Sequence, residues 1–178
     1  MKRPILVAGI GNIFFGDDAF GSEVARKLMR YAWPDGVRVE DFGIRSFDLA
    51  YALMDGCDAI LIDAVPRGEP PGTLYLIEPD LDNLGSGDIP DGHSMNPVGV
   101  LQMVQSLAPA DGGRTGRLFL IGCEPSVLES EDGQMGLSKC VQAAVPRAIE
   151  LVESLVADLL YDINPIRPAL SGAAKEVN

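Results

Sequence analysis

The chain alternates short, nearly unbroken apolar runs with amphipathic stretches, and the two periods define its elements. Ile5 to Ala8, bounded by Pro4 and Gly9, is too brief for a helix and reads as a buried strand that runs into a glycine turn. Behind it, Phe20, Val24, Leu28 and Tyr31 recur at helical spacing with Glu23, Arg26, Lys27 and Arg30 between them, which predicts an amphipathic helix over one sheet face. Trp33-Pro34-Asp35-Gly36 marks a turn, and Val37 to Asp41 a second strand. Ser46 is expected to cap a short helix through Leu49, Leu53 and Met54 that stops at Gly56. Ala59 to Ala64 is apolar apart from Asp63, as suits a central parallel strand covered on both faces.

Thr73 to Ile77 follows after only a Pro/Gly-rich loop, Pro66 to Gly72. That is shorter than the dozen or so residues a parallel crossover needs, so this strand is expected to run antiparallel at the sheet edge. Glu78 to Gly92 lacks periodicity and reads as a mobile polar loop. Asn96 as cap and Pro97 in the first turn open a helix through Val100, Leu101, Val104 and Leu107. Arg117 to Gly122 is another buried strand. From Ser138 a stripe of Val141, Val145, Ala148, Ile149, Val152, Leu155, Val156 and Leu159 predicts a long helix, which Pro146 should kink or effectively start. Five strands alternating with about four helices define an α/β protein: a three-layer α/β/α sandwich on an about five-stranded, mostly parallel twisted sheet with one antiparallel edge strand. One domain is expected over residues 1–163, with residues 164–178 a poorly ordered tail.

Composition narrows the function classes. A net charge of −12 argues against nucleic-acid binding, which relies on Lys and Arg to neutralise phosphates, and fits a partner with basic segments. The apolar runs are broken by charges well before a membrane-spanning length, and the start, Met1-Lys2-Arg3-Pro4, does not read as a signal peptide. Cys57, Cys123 and Cys140 lack metal-finger spacing; reduced thiols in a cytoplasmic protein are the simplest account.

Candidate chemistry gathers where strands end. The turn Gly9-Ile10-Gly11-Asn12-Ile13-Phe14-Phe15-Gly16-Asp17-Asp18-Ala19-Phe20-Gly21 puts two adjacent acids at the carboxyl edge of the first strand, where open parallel sheets hold ligands. A nucleotide-binding module using the Gly9/Gly11 turn is one reading. Against it, Phe14 stands at the third glycine position of the dinucleotide fingerprint, and Asp17 and Asp18 would repel phosphate. Asp63, costly to bury unpaired, is expected to face the same edge or to have a partner. His93, the one histidine, lies in Asp91-Gly92-His93-Ser94-Met95-Asn96-Pro97, just ahead of a helix. A Cys123/His93 hydrolase is a further reading, weighed against Cys123 as a small buried residue at a strand end. Asp18, Asp63 and His93 are expected to converge from separate segments. Two carboxylates and an imidazole suit a divalent transition ion such as Ni²⁺ or Zn²⁺ with positions left open.

Gly9, Gly11, Asn12, Asp17, Asp18 and Gly21 fall where the hydrogenase maturation endopeptidases carry a Gly-x-Gly-Asn-x-Leu-x-x-Asp-Asp/Glu-Gly-x-Gly signature, and the chain resembles that family. Phe14 replaces the leucine and Ala19 a glycine. Asp41-Phe42-Gly43-Ile44-Arg45 keeps the acid and one glycine of the family's Asp-Gly-Gly-Thr segment, and Gly122 and Pro125 match its Gly-x-x-Pro turn. The resemblance implies an endopeptidase that removes the C-terminal extension of a [NiFe] hydrogenase large-subunit precursor once nickel is inserted. It also implies recognition of that Ni²⁺ through Asp18, Asp63 and His93, with the metal supplied by the precursor. Asp17 and Asp41 stand as accessory acids, Asp17 also as an alternative first ligand, and whether metal or carboxylate activates the water stays open. A cytoplasmic monomer without nucleic-acid or membrane partners is expected.

Overall fold

β1 (Ile5–Ile10) is buried at every position and lies inside the sheet, between β2 (Val37–Gly43) and β3 (Asp58–Ala64), both parallel to it. The computed structural model describes residues 2–79, 97–107, 116–126, 135–162 and 175–177. β3 pairs in parallel with β5 (Leu118–Cys123), and β4 (Leu74–Ile77) runs antiparallel beside β5, as its short connection requires. Three residues of the expected tail, Lys175–Val177, form β6 and pair antiparallel with β4, so the order is β2-β1-β3-β5-β4-β6.

Strand alternation sorts the apolar side chains into two cores. Ile5 and Val7 of β1, Ile60 and Ile62 of β3, and Phe119 and Ile121 of β5 meet α1 (Phe20–Leu28) and α4 (Lys139–Leu160) on one face. Leu6 and Ala8, Ala59 and Leu61, and Leu118 and Leu120 meet α2 (Ser46–Met54) and α3 (Pro97–Leu107) on the other. This is the three-layer arrangement. Because α1 leaves β1 over one face and α2 returns to β3 over the other, the connections diverge at the carboxyl ends of β1 and β3, where such sheets open a crevice.

One local expectation needs correction, and the structure adds two details. Ser46 is the first residue of α2 and not its cap; Arg45 holds the cap position, because β2 runs on to Gly43 and Arg45 donates back to the carbonyls of Phe42 at 3.2 Å and Asp41 at 2.6 Å. Pro146 lies inside α4, whose first turn begins seven residues earlier at Lys139. A short 3-10 turn, Gly16–Ala19, separates β1 from α1. Asn96 and the loop ahead of it lie outside the described residues.

The glycines of the first motif set how closely α1 approaches the sheet. A Cβ on Gly21 would sit 2.0 Å from the Ile62 carbonyl oxygen and 2.2 Å from that of Ile10; one on Gly9 would sit 2.4 Å from the Gly21 carbonyl oxygen. Gly11 has φ +138°, and a Cβ there would meet the Asp18 carbonyl oxygen at 1.9 Å. Gly21→Ala therefore forces backbone apart, and the expected outcome is a loss of about 3 kcal/mol in urea unfolding, at the upper end for overpacking. A loss below about 0.5 kcal/mol would show that the contact yields freely.

Candidate active site

Asp18 is carried by the 3-10 turn directly over the β1 end, and its Oδ2 accepts the Asn12 amide at 2.9 Å. Asp63 is the penultimate residue of β3, in the alternation class of Ala59 and Leu61, so it points to the α2/α3 side of the crevice. Its register partner on β5 is Gly122, which places no side chain beside it. Asp63 is buried, and its Oδ1 accepts the amide of Ala64 at 2.8 Å.

Asp63 feels the charge of Asp18. Burial, and then the charge of Asp18, push Asp63 well above the usual carboxylate range, opposed by the Ala64 amide. Burial raises Asp18 too, against the Asn12 amide. No cationic side chain figures among the causes for either. Among the described residues, no three His, Cys, Asp or Glu side chains gather as a metal-holding group. The structure thus brings Asp18 close to Asp63 at the strand ends; His93 lies outside the described residues.

Asp17 and Asp41 occupy different settings. Asp17 is buried, and its carboxylate accepts the amides of Ser126 at 2.8 Å and Ser138 at 2.6 Å, fastening the turn to the segment after β5 and to the start of α4. Asp41 accepts the Ser22 hydroxyl at 2.7 Å, Arg26 Nε at 2.8 Å and the Gly43 amide at 3.0 Å, joining the end of β2 to α1. Both carboxylates are spent on holding backbone in place, whereas Asp18 and Asp63 each have one amide partner given by the structure.

The geometry weighs against both alternative sites. The space a pyrophosphate would need at Gly11 is filled by the protein's own 3-10 turn, since the Asp18 carbonyl oxygen sits where a Cβ of residue 11 would be. Cys123 is fully buried, and burial, followed by the charges of Asp17 and Glu124, pushes its thiol up to about 12, the reverse of what a thiolate nucleophile requires.

Glu124 escaped the sequence reading. Buried after β5, it accepts the Tyr75 hydroxyl at 2.5 Å and the amides of Arg67 at 2.8 Å and Gly68 at 3.1 Å, clasping the Pro/Gly-rich loop to the sheet. Burial alone would raise it, but the Tyr75 hydroxyl and the amides of Arg67, Gly68 and Glu69 outweigh that and hold it below its ordinary value. The available signal was an acid next to a buried strand end, the same that flagged Asp63. Asp58 was also passed over; at the opposite sheet edge it accepts the Arg117 amide at 2.7 Å and pairs with the Arg117 guanidinium at 3.3 Å.

An acidic pair in the crevice of a doubly wound α/β sheet defines a class: proteins whose chemistry lies at the strand ends and acts on a ligand compatible with two carboxylates. The family model for hydrogenase maturation protease matches residues 22–155. The hydrogenase expression/formation protein HoxM of Azotobacter vinelandii is 33% identical over 160 residues, covering 89% of this chain and 75% of its own. HupD of Bradyrhizobium diazoefficiens is 34% identical over 155 residues, covering 86% and 78%. The crystal structure of a hydrogenase 2 maturation peptidase from a Thaumarchaeota archaeon superposes with TM-score 0.65 at 32% identity over 87% of this chain and 99% of that one. The hydrogenase maturating endopeptidase HybD from E. coli does so with TM-score 0.71 at 27% identity over 87% and 93%. The chain belongs to the hydrogenase maturation protease family, and as a member it is a peptidase.

Asp63 and Glu124, perturbed in opposite directions, predict opposite responses to pH. A carboxyl raised in the folded state costs stability as pH climbs through the unfolded value towards the folded one. Asp63→Asn should therefore unfold at higher urea than the wild type at about pH 8, with the gap closing towards pH 4. A lowered carboxyl contributes fully above its unfolded value and loses that contribution as pH falls through the folded one. Glu124→Gln should cost about 2 kcal/mol at neutral pH, a difference that shrinks on acidification. Urea titrations across pH check both, and parallel curves for variant and wild type would contradict either.

Proposed function

We propose that this peptidase removes the C-terminal extension from the large-subunit precursor of a [NiFe] hydrogenase after nickel insertion, and that Asp18 and Asp63, with His93, recognise the nickel the precursor carries. The observation behind this reading is the pair itself: a fully buried carboxyl beside a second one, in the crevice between β1 and β3, with no cationic side chain among the described residues offsetting them. Like charges in a low-dielectric site call for a cation, and carboxylate oxygens with an imidazole nitrogen suit a borderline divalent ion. Such an ion polarises a carbonyl or lowers the pKa of a bound water.

In this scheme the chain's own residues position and select. Asp17 and Asp41 hold the turn and the β2 end, so they serve as scaffold and not as ligands. Asp18 and Asp63 present oxygens to the metal of the precursor, which aligns the adjoining peptide. A precursor without nickel offers nothing to bridge the acids and is left uncut. A cytoplasmic location fits this role; among the described residues no helix is long and apolar enough to cross a membrane.

With nickel-loaded precursor as substrate, Asp63→Asn and His93→Ala should each slow trimming by about 100-fold or more while the circular dichroism of the chain is unchanged. Cys123→Ala should trim at the wild-type rate. Normal trimming by His93→Ala, or equal cleavage of nickel-free precursor, would overturn the proposal.

A further inference from the structure

Large apolar side chains exposed on this protein are unevenly distributed. Phe14 and Phe15 project from the turn after β1, Ile44 from the turn after β2, Phe47 from the first turn of α2, and Met135 from the approach to α4. Each of these segments lies at the carboxyl edge of the sheet, because the turns after β1 and β2 close there, α2 follows β2 directly, and Ser138 ahead of α4 donates its amide to Asp17 on the turn after β1. Tyr51 continues the Phe47 face one turn along α2. Among the described residues the opposite edge has Met29, Tyr31 and Tyr161, at the ends of α1 and α4.

These side chains are held out on ordered backbone. The Phe14 amide donates to Asn12 Oδ1 at 3.0 Å and the Phe15 amide to the Asn12 carbonyl at 3.1 Å, while Gly11 donates to the Gly43 carbonyl at 3.1 Å and ties the β1 and β2 turns together. Phe47 and Tyr51 are about 60% exposed, although α2 buries Leu49, Ala50 and Leu53. Single exposed apolar residues are ordinary, but a cluster around one site marks an interaction surface. At about 100 Å² each the six reach ~600 Å², most of the ~800 Å² a standard interface takes from one partner.

We propose that this apolar rim docks the folded large-subunit precursor, gripping an apolar surface that flanks the scissile segment, with basic residues on the precursor's rim meeting a chain of net charge −12. The inference rests on the precursor reading above. Continuity with the acid pair favours this occupant over a second copy of the chain, which would cover the crevice and shut substrate out.

The test measures trimming of nickel-loaded precursor by Phe47→Ser/Tyr51→Ser and, on a separate element, by Phe14→Ser, with Met29→Ser from the far edge as control and thermal melts to verify folding. KM should rise about ten-fold or more in the first two with kcat unchanged, and stay at the wild-type value in the control. KM within about two-fold of wild type in both rim variants, alongside active wild-type trimming, overturns the docking surface and leaves the proposed function standing. A wild type that neither binds nor trims the precursor overturns both. Sedimentation showing a wild-type dimer that Phe47→Ser/Tyr51→Ser dissociates at unchanged KM assigns the rim to a second copy instead.

Discussion

The site depends on how closely α1 can lie against β1 and β3. At Gly21 the helix backbone touches the carbonyls of Ile10 and Ile62, one on each strand, and Gly9 supplies the matching gap on the β1 side. Only with both side chains absent can the chain leave β1, fold its 3-10 turn back over the strand end and enter α1 without lifting off the sheet. The carboxylate of Asp18 is delivered to the Asp63 end of β3 by that approach. The glycine motif serves backbone packing here, and the phosphate cradle that a similar spacing forms elsewhere is filled by the protein's own turn.

Four acids near this edge divide by what their oxygens already hold. Asp17 binds amides from segments more than a hundred positions away in sequence, and Asp41 binds a hydroxyl, a guanidinium and an amide; both stabilise the frame. Asp63 is buried next to another acid, an arrangement that costs folding free energy whenever both ionise. Proteins tolerate such a cost chiefly at sites of function. The frame and the strained pair are complementary: without Asp17 fixing the turn, repulsion between Asp18 and Asp63 could relax by moving Asp18 away.

Legibility in the sequence followed the range of the interactions involved. Strand runs such as Ile5 to Ala8 and Ala59 to Ala64, and the amphipathic α1 and α4, were readable because their burial repeats with the local period. The antiparallel β4 followed from loop length alone. Boundaries shifted where tertiary contacts decide: β2 gains Phe42 and Gly43 because β1 pairs that far, and α4 continues through Pro146 because its stripe packs on the sheet both before and after it. Asp18 and Asp63 could be flagged as acids at strand ends, and the family resemblance pointed to the same residues. The scaffold roles of Asp17 and Asp41, and the Glu124 clasp on Tyr75 and Arg67, join partners distant in sequence, and no local pattern announces them.

A pair of carboxylates alone is a poor metal site, and that weakness suits the proposed role. Divalent transition ions are held tightly when three or four ligands converge, so two acids and an imidazole on this chain would leave coordination incomplete and the resident affinity low. Ligands supplied by a precursor would complete the set, making affinity for the protein depend on the metal already sitting in its partner. The apolar rim would then contribute binding free energy that is the same for loaded and empty precursors, while the acids contribute the difference between them. Under the proposed function, discrimination would rest on that difference and not on total affinity, so the burial that makes an ionised Asp63 expensive in the free enzyme would widen the gap: an empty partner would leave that cost unrelieved, and a loaded one would relieve it.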